Sequence, residues 1–286
     1  MLNREQMIDA YIKACICDVE AFKPGNVSVY NAGHDMSVAD FLLSAEVSAE
    51  PITNPDYSLG EKIYYAVKAT RDAVGCNTNL GILLLCAPVI QAGQQVQEKQ
   101  SLRDALRYVL ENTSVKDTDW VFKAISLASP GGLGVSEDQD VSERPDVTLF
   151  QAMGIAQNKD RIAKQYVTNY KDIFNFSILR YNDGLNRFEN QEWAAVFVFT
   201  GLLSKFPDSH IERKYGNEHS GWVLKKIIAV DDALLNTQDP KQLIPMLHEV
   251  DREFKAKSIN PGTTADLTVA TVFVVIMEAF SVRCTR

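Results

Sequence analysis

The chain has 286 residues, with 29 Lys+Arg against 37 Asp+Glu, a formal net charge of −8, 46% hydrophobic and 23% charged residues. This composition excludes a disordered or collagen-like chain, and the acidic balance argues against nucleic-acid binding, which needs a basic surface to displace counterions. The length suffices for a full core, and residues 1–286 read as one domain.

The five cysteines (Cys15, Cys17, Cys76, Cys86, Cys284) form no C-x-x-C pair and their number is odd, which fits reduced thiols in the cytoplasm. The four histidines show no H-E-x-x-H spacing, so a zincin is excluded. The N-terminal segment lacks an apolar signal core. The longest apolar run, Leu267 to Phe280, has about fourteen residues where a membrane span needs roughly twenty. A buried helix and no membrane are expected.

Taken in chain order, Ile8, Tyr11, Ile12, Cys15 and Val19 form a helical stripe that ends before Lys23-Pro24-Gly25. Val38, Phe41, Leu42 and Ala45 form the next, opened by Ser37 and stopped by Pro51. Further helices are expected over 58–74, 79–94, 101–111, 117–128, 146–156, 159–175, 189–205, 221–236, 241–255 and 263–282. Ser101 with Asp104, and Thr263 after Pro261-Gly262, are start signals. The Val/Phe-rich stretch Ala195 to Phe199 lies inside a longer helix-period pattern, so the architecture reads as all-α. The Gly-, Ser- and acid-rich stretch Ser129 to Pro145 is the most irregular and reads as a functional loop.

The joints between helices carry more chemistry than turns need. Lys23-Pro24-Gly25-Asn26-Val27-Ser28, with Asp18 before it, presents a lysine from a rigid turn, which suits a phosphate or a plain helix stop. Gly33-His34-Asp35-Met36 offers a base, a metal ligand or an N-cap. Gly75-Cys76-Asn77-Thr78-Asn79-Leu80-Gly81 places amides and a hydroxyl at a helix N-terminus, a natural anion site. In Asp160-Arg161-Ile162-Ala163-Lys164, Asp160 and Lys164 have the spacing of a surface ion pair. If 208–216 is helical, His210, Arg213 and Lys214 share one face and fit a polyphosphate. In Asn260-Pro261-Gly262-Thr263-Thr264-Ala265-Asp266, the aspartate sits near the buried side, where a carboxylate needs a partner such as hydrated Mg²⁺.

The set K-P-G-N-V-S, G-H-D-M, G-x-N-T-N-L-G, S-H-I-x-R-K-x-G and N-P-G-T-T-A-D-L resembles the triphosphoribosyl-dephospho-CoA synthase family over nearly the whole chain. The resemblance implies an all-α enzyme that uses ATP as ribosyl donor, with the 2′-hydroxyl of dephospho-CoA displacing adenine at the anomeric carbon. Mapped by motif, Lys23, Arg213 and Lys214 hold phosphates, with Gly25 and Gly262 at the substrate. His210 is a further donor or acid, and Asn77, Thr78 and Asn79 contact ribose or phosphate. Asp35 and Asp266 are candidates for Mg²⁺ or for the base, with Asp18 a further catalytic candidate.

The chain departs from the citrate-lyase branch at Asn26, Ser28, Asn79, Thr263 and Thr264. That leaves two alternatives: a related transferase in tetrahydromethanopterin-linked one-carbon metabolism, or a non-catalytic nucleotide-binding protein. The expected partners are small nucleotides, and a homodimer is compatible with the helical character.

Overall fold

The helix-period stripes become helices throughout the computed structural model, which describes residues 3–30, 36–131 and 139–283. Helix α1 (Arg4–Glu20) opens with a capping box between Asn3 and Gln6, α2 (Val38–Ile52) with one between Ser37 and Asp40, and α3 (Leu59–Val74) with one between Ser58 and Glu61. Each box satisfies two backbone donors that have no partner inside the helix. Gly75, at φ 73°, ends α3 in the left-handed region.

Next come α4 (Leu80–Gln95), α5 (Leu102–Glu111), α6 (Val115–Ala128), α7 (Leu149–Ala156) and α8 (Arg161–Val167). A π turn (Ile173–Ser177) leads into α9 (Ile178–Phe188), followed by α10 (Gln191–Lys205), α11 (Ser209–Tyr215) and α12 (Ser220–Asn236). A 3₁₀ turn (Pro240–Leu243) leads into α13 (Ile244–Ala256), and α14 (Gly262–Arg283) closes the chain. No strand is present among the described residues, so the fold is all-α.

α4 and α14 form the centre, packed on each other, and α14 also lies against α1 and α10. By length and composition Gly262–Phe280 would pass for a membrane span, but 67% of that stretch is buried inside the fold, as a core helix requires. Pro88 lies inside α4 and has no N–H to give the carbonyl of Leu84. The buried Tyr166 hydroxyl supplies the missing donor at 2.7 Å, and the Tyr170 hydroxyl donates to the neighbouring Leu85 carbonyl at 2.9 Å. The loop after α8 is thereby fastened to the central helix, close to the cavity described below.

The sequence reading fails in one region. The expected helix over 159–175 stops at Val167, because Asn169 and Tyr170 adopt left-handed φ angles of 50° and 55°. Helix α9 has no counterpart in that reading, since Asn182-Asp183-Gly184 resembles a turn. Gly184 serves packing instead: a Cβ there would come within 3.1 Å of the Ala194 Cα, so the glycine lets α9 and α10 approach closely.

Candidate active site

A cavity of about 400 Å³ gathers side chains from segments far apart in the chain. Asp18 and Asn26 come from the end of α1 and the turn after it, Asn77, Thr78 and Gly81 from the start of α4, and Ser129 to Gly131 from the end of α6. Asp160 opens α8, His210, Arg213 and Lys214 lie on α11, and Asn260, Gly262, Thr263 and Asp266 surround the start of α14. The N-termini of α4 and α14 therefore both open on this space, with backbone N–H groups and positive dipole ends suited to anions.

One buried carboxylate fixes the geometry of the α11 face. Asp208 accepts from the His210 and Ile211 amides through Oδ1, at 2.9 and 3.1 Å, and from the Thr264 amide and hydroxyl through Oδ2, both at 2.7 Å. It caps two helices at once and sets His210, Arg213 and Lys214 against α14. The expected start signal at Thr263 gives way to this long-range cap. Burial raises the Asp208 pKa, while the bonds from Thr264, Ile211 and His210 oppose the rise. Ser209 continues the lock, donating to Thr263 Oγ1 at 3.0 Å and accepting from the Arg161 amide at 3.2 Å. Gly262 has no side chain because His210 fills the space: a Cβ would meet its Nδ1 at 2.4 Å.

Asp266 is the unusual group. Its carboxylate packs on the backbone of Gly81 and has no hydrogen-bond partner among the described residues. Burial pushes its pKa well above the usual carboxylate range, Asp18, Asp208 and Asp160 push it further, and Arg213 pulls it back. Taken alone, this environment favours the neutral carboxyl; a cation placed beside it favours the carboxylate. Arg213 is partly committed elsewhere, reaching Asp160 Oδ2 and the Gly131 carbonyl, each at 3.3 Å. Asp160 uses its other oxygen to cap α8 through the Ile162 and Ala163 amides, so its ionic partner is Arg213 and not the Lys164 that the spacing suggests.

Three sequence expectations are corrected. Lys23 does not reach the cavity: its side chain is fully buried, its ammonium lies 2.8 Å from Asp18 Oδ1, and it donates to the Asp18 carbonyl at 2.6 Å. The rigid Lys-Pro-Gly turn aims the cation inward, onto the last turn of α1. Gly25 is a packing residue outside the lining: at φ 83° its amide donates to Asp251 at 2.9 Å, and a Cβ would strike the Ile259 carbonyl at 2.8 Å. Asn79 also turns away, donating to Ser48 Oγ at 3.3 Å. Thr78 lines the cavity while its hydroxyl donates to Ser44 at 2.6 Å, and Asn77 uses Oδ1 to accept from the Leu80 amide at 3.2 Å. His34 and Asp35 lie outside the described residues.

The structure adds groups that the sequence reading left out of the site. Asn26 and Asn260 bridge the first and last motifs at 2.9 Å, and the buried Oδ1 of Asn26 accepts no bond. Asp160 joins them as the partner of Arg213. Each belonged to a polar string at a helix joint; what the sequence lacked was their mutual contact. Ser28, one of the positions at which the chain departs from the citrate-lyase branch, is buried outside the lining, and its hydroxyl has no partner among the described residues. Burial raises the Asp18 pKa, and Lys23 opposes the rise.

No curated protein matches this chain. A crystal structure from Archaeoglobus fulgidus, provisionally assigned as a triphosphoribosyl-dephospho-CoA synthase, shares the fold with a TM-score of 0.64 and 24% identity, over 84% of this chain and 98% of that one. The family model described as ATP:dephospho-CoA triphosphoribosyl transferase matches residues 4–284, nearly everything from the first helix to the last. That match favours neither the pterin-linked nor the non-catalytic alternative. The chain belongs to the ATP:dephospho-CoA triphosphoribosyl transferase family, whose members transfer a triphosphoribosyl group from ATP to dephospho-CoA.

Proposed function

We propose that the cavity between the N-termini of α4 and α14 is where this transfer takes place, in a soluble cytoplasmic enzyme. The observation that carries this reading is the meeting, around one space, of three α11 side chains able to bear positive charge with Asp266, whose carboxylate lies against the start of α4. Arg213 and Lys214, with the two helix N-termini, neutralise the triphosphate. Asn77 and Thr78 contact the ribose or the phosphates. The acceptor 2′-hydroxyl forms a C–O bond to the anomeric carbon as the C–N bond to adenine breaks. A carboxylate, Asp266 or Asp18, takes the hydroxyl proton, and His210 holds a proton for the departing adenine. The sugar carbon is cation-like at the crossing point, and the surrounding carboxylates stabilise that charge.

Among the described residues no group of three or more His, Cys, Asp and Glu could hold a metal by itself. Mg²⁺ is usually bound through one or two carboxylates together with substrate phosphates, and Asp266 fits that role. When bound there, Mg²⁺ would supply charge neutralisation to the triphosphate.

The test is incubation with ATP, dephospho-CoA and Mg²⁺, with detection of free adenine. Release that depends on dephospho-CoA, and that falls by about a hundredfold or more in Asp266→Asn, is expected. Wild-type protein that binds both nucleotides and releases no adenine would overturn the reading.

A further inference from the structure

Beside the polar cavity lies a larger one of about 560 Å³, bounded by α4, α6, α7 and α8. The two share a wall made of Leu84, Ile125, Ile162, Asp160 and Arg213. Their chemistry differs sharply. Beyond that wall the second cavity is lined mainly by apolar side chains, among them Val121, Phe122, Leu149, Met153 and Ala156, and among the described residues its one further cation is the exposed Lys159. With Asp140, Asp160 and Glu212 also around it, this space does not suit a phosphate chain. Its size falls within the usual span for small-molecule pockets, about 300–1,000 Å³.

Resting on the reaction given above, we propose that this second cavity binds the pantetheine arm of the acceptor. Donor and acceptor each carry an adenosine and phosphates, so the polar cavity and its cations serve chemistry common to both. The feature that belongs to the acceptor alone is a long uncharged arm with a branched dimethyl group, two amides and a thiol. The second cavity, more apolar than the first, matches it. Arg213 stands at the boundary, where the acceptor's pyrophosphate must lie if its ribose is in the polar cavity and its arm in the apolar one. Gln139 provides a polar anchor on the far side: its Nε2 donates to Asp146 at 2.7 Å, while its buried Oε1 has no donor and can accept from an arm amide.

The cavity is tested by filling it. Ala156 closes α7, is only half-buried and faces this space alone, so Ala156→Phe narrows it without touching the polar cavity. Ile155→Glu, at a position 44% exposed, is the second variant because a surface change of this kind spares the fold. In both, the KM for dephospho-CoA should rise about tenfold or more while the KM for ATP stays within about twofold. Free pantetheine should compete with dephospho-CoA and not with ATP. A rise confined to the KM for ATP would show that the cavity holds the donor's adenine, and unchanged constants in both variants would show that it holds no substrate; either overturns the proposal. If the wild type releases no adenine, the reaction itself is wrong, and calorimetry with pantetheine alone still decides: saturable binding weakened about tenfold in Ala156→Phe supports the site, and no binding removes it.

Discussion

Asp266 Oδ2 lies where a side chain on Gly81 would have to be: a Cβ on that glycine would approach it to 2.0 Å. The second residue of α4 is thus glycine because α14 presses a carboxylate onto the helix start. The contact brings Asp266 to the positive end of the α4 dipole, which opposes in part the burial and the three neighbouring aspartates that push its pKa up.

Gly81→Ala separates this positional role from stability. In a helix interior alanine gains about 0.5–1 kcal/mol over glycine, which partly offsets the displacement of the carboxylate. The variant should fold with a melting temperature near that of the wild type and, with Asp266 in the role proposed above, lose adenine release by about a hundredfold, the cost of displacing such a group by about an ångström. Activity close to wild type would mean that Asp266 turns aside freely and that its contact with α4 has no role in turnover.

Lys23 and Asp18 give the opposite pattern. Their ion pair is 0% and 4% exposed, so removing one partner leaves a buried charge uncompensated. Lys23→Met should destabilise the protein by about 3–5 kcal/mol, and the double variant Asp18→Asn, Lys23→Met should recover much of that loss. Thermal or urea unfolding measures the cycle. A phosphate role for Lys23 would show instead as a raised KM for ATP with little loss of stability.

These two cases mark what the chain order can and cannot reveal. The polar strings at the helix joints were legible because they exceed what turns need, and Asn77, Thr78, His210, Arg213, Lys214, Gly262 and Asp266 do line one cavity. The inward direction of Lys23 was not legible, since a Pro-Gly turn sets the backbone and leaves open which way burial pulls a long side chain. Nor was the cap of Asp208 on Thr264, a contact across 56 positions that no local pattern encodes. The helical class followed from apolar periodicity, whereas α9 was hidden because Gly184 answers to a neighbouring helix and not to its own.

Asp208 is the second structural device of the site. Asp208→Ala removes four hydrogen bonds and leaves the first turns of α11 and α14 without their cap. A loss of about 2–4 kcal/mol is expected, with a fall in turnover, since the α11 cations and α14 no longer hold their relative position. Thr264→Val removes only the hydroxyl contact and should cost about 1 kcal/mol with most activity kept. Equal stability losses in the two variants would show that Asp208 caps neither helix to any useful extent.

Lys62 gives the stability curve its distinctive pH dependence. Its fully buried ammonium donates to the Asn54 and Tyr57 carbonyls at 2.6 and 2.7 Å, fastening the turn between α2 and α3. Burial lowers its pKa from 10.5 to about 8. Between those values the unfolded chain keeps a proton that the folded chain has released, so the unfolded state binds more protons and this lysine's contribution rises with pH. The neutral amine still has two N–H groups for the same carbonyls, so the turn survives the loss of charge. Buried Tyr11, Tyr166, Tyr170 and the thiols of Cys15 and Cys86 act in the other direction, because their raised pKa values leave the folded state with the extra proton. Comparing wild type with Lys62→Met at each pH cancels those groups. The wild type's advantage in melting temperature should widen between about pH 7.5 and 9.5. An advantage that stays flat or shrinks over this interval would mean that the ammonium meets no desolvation cost in its buried place.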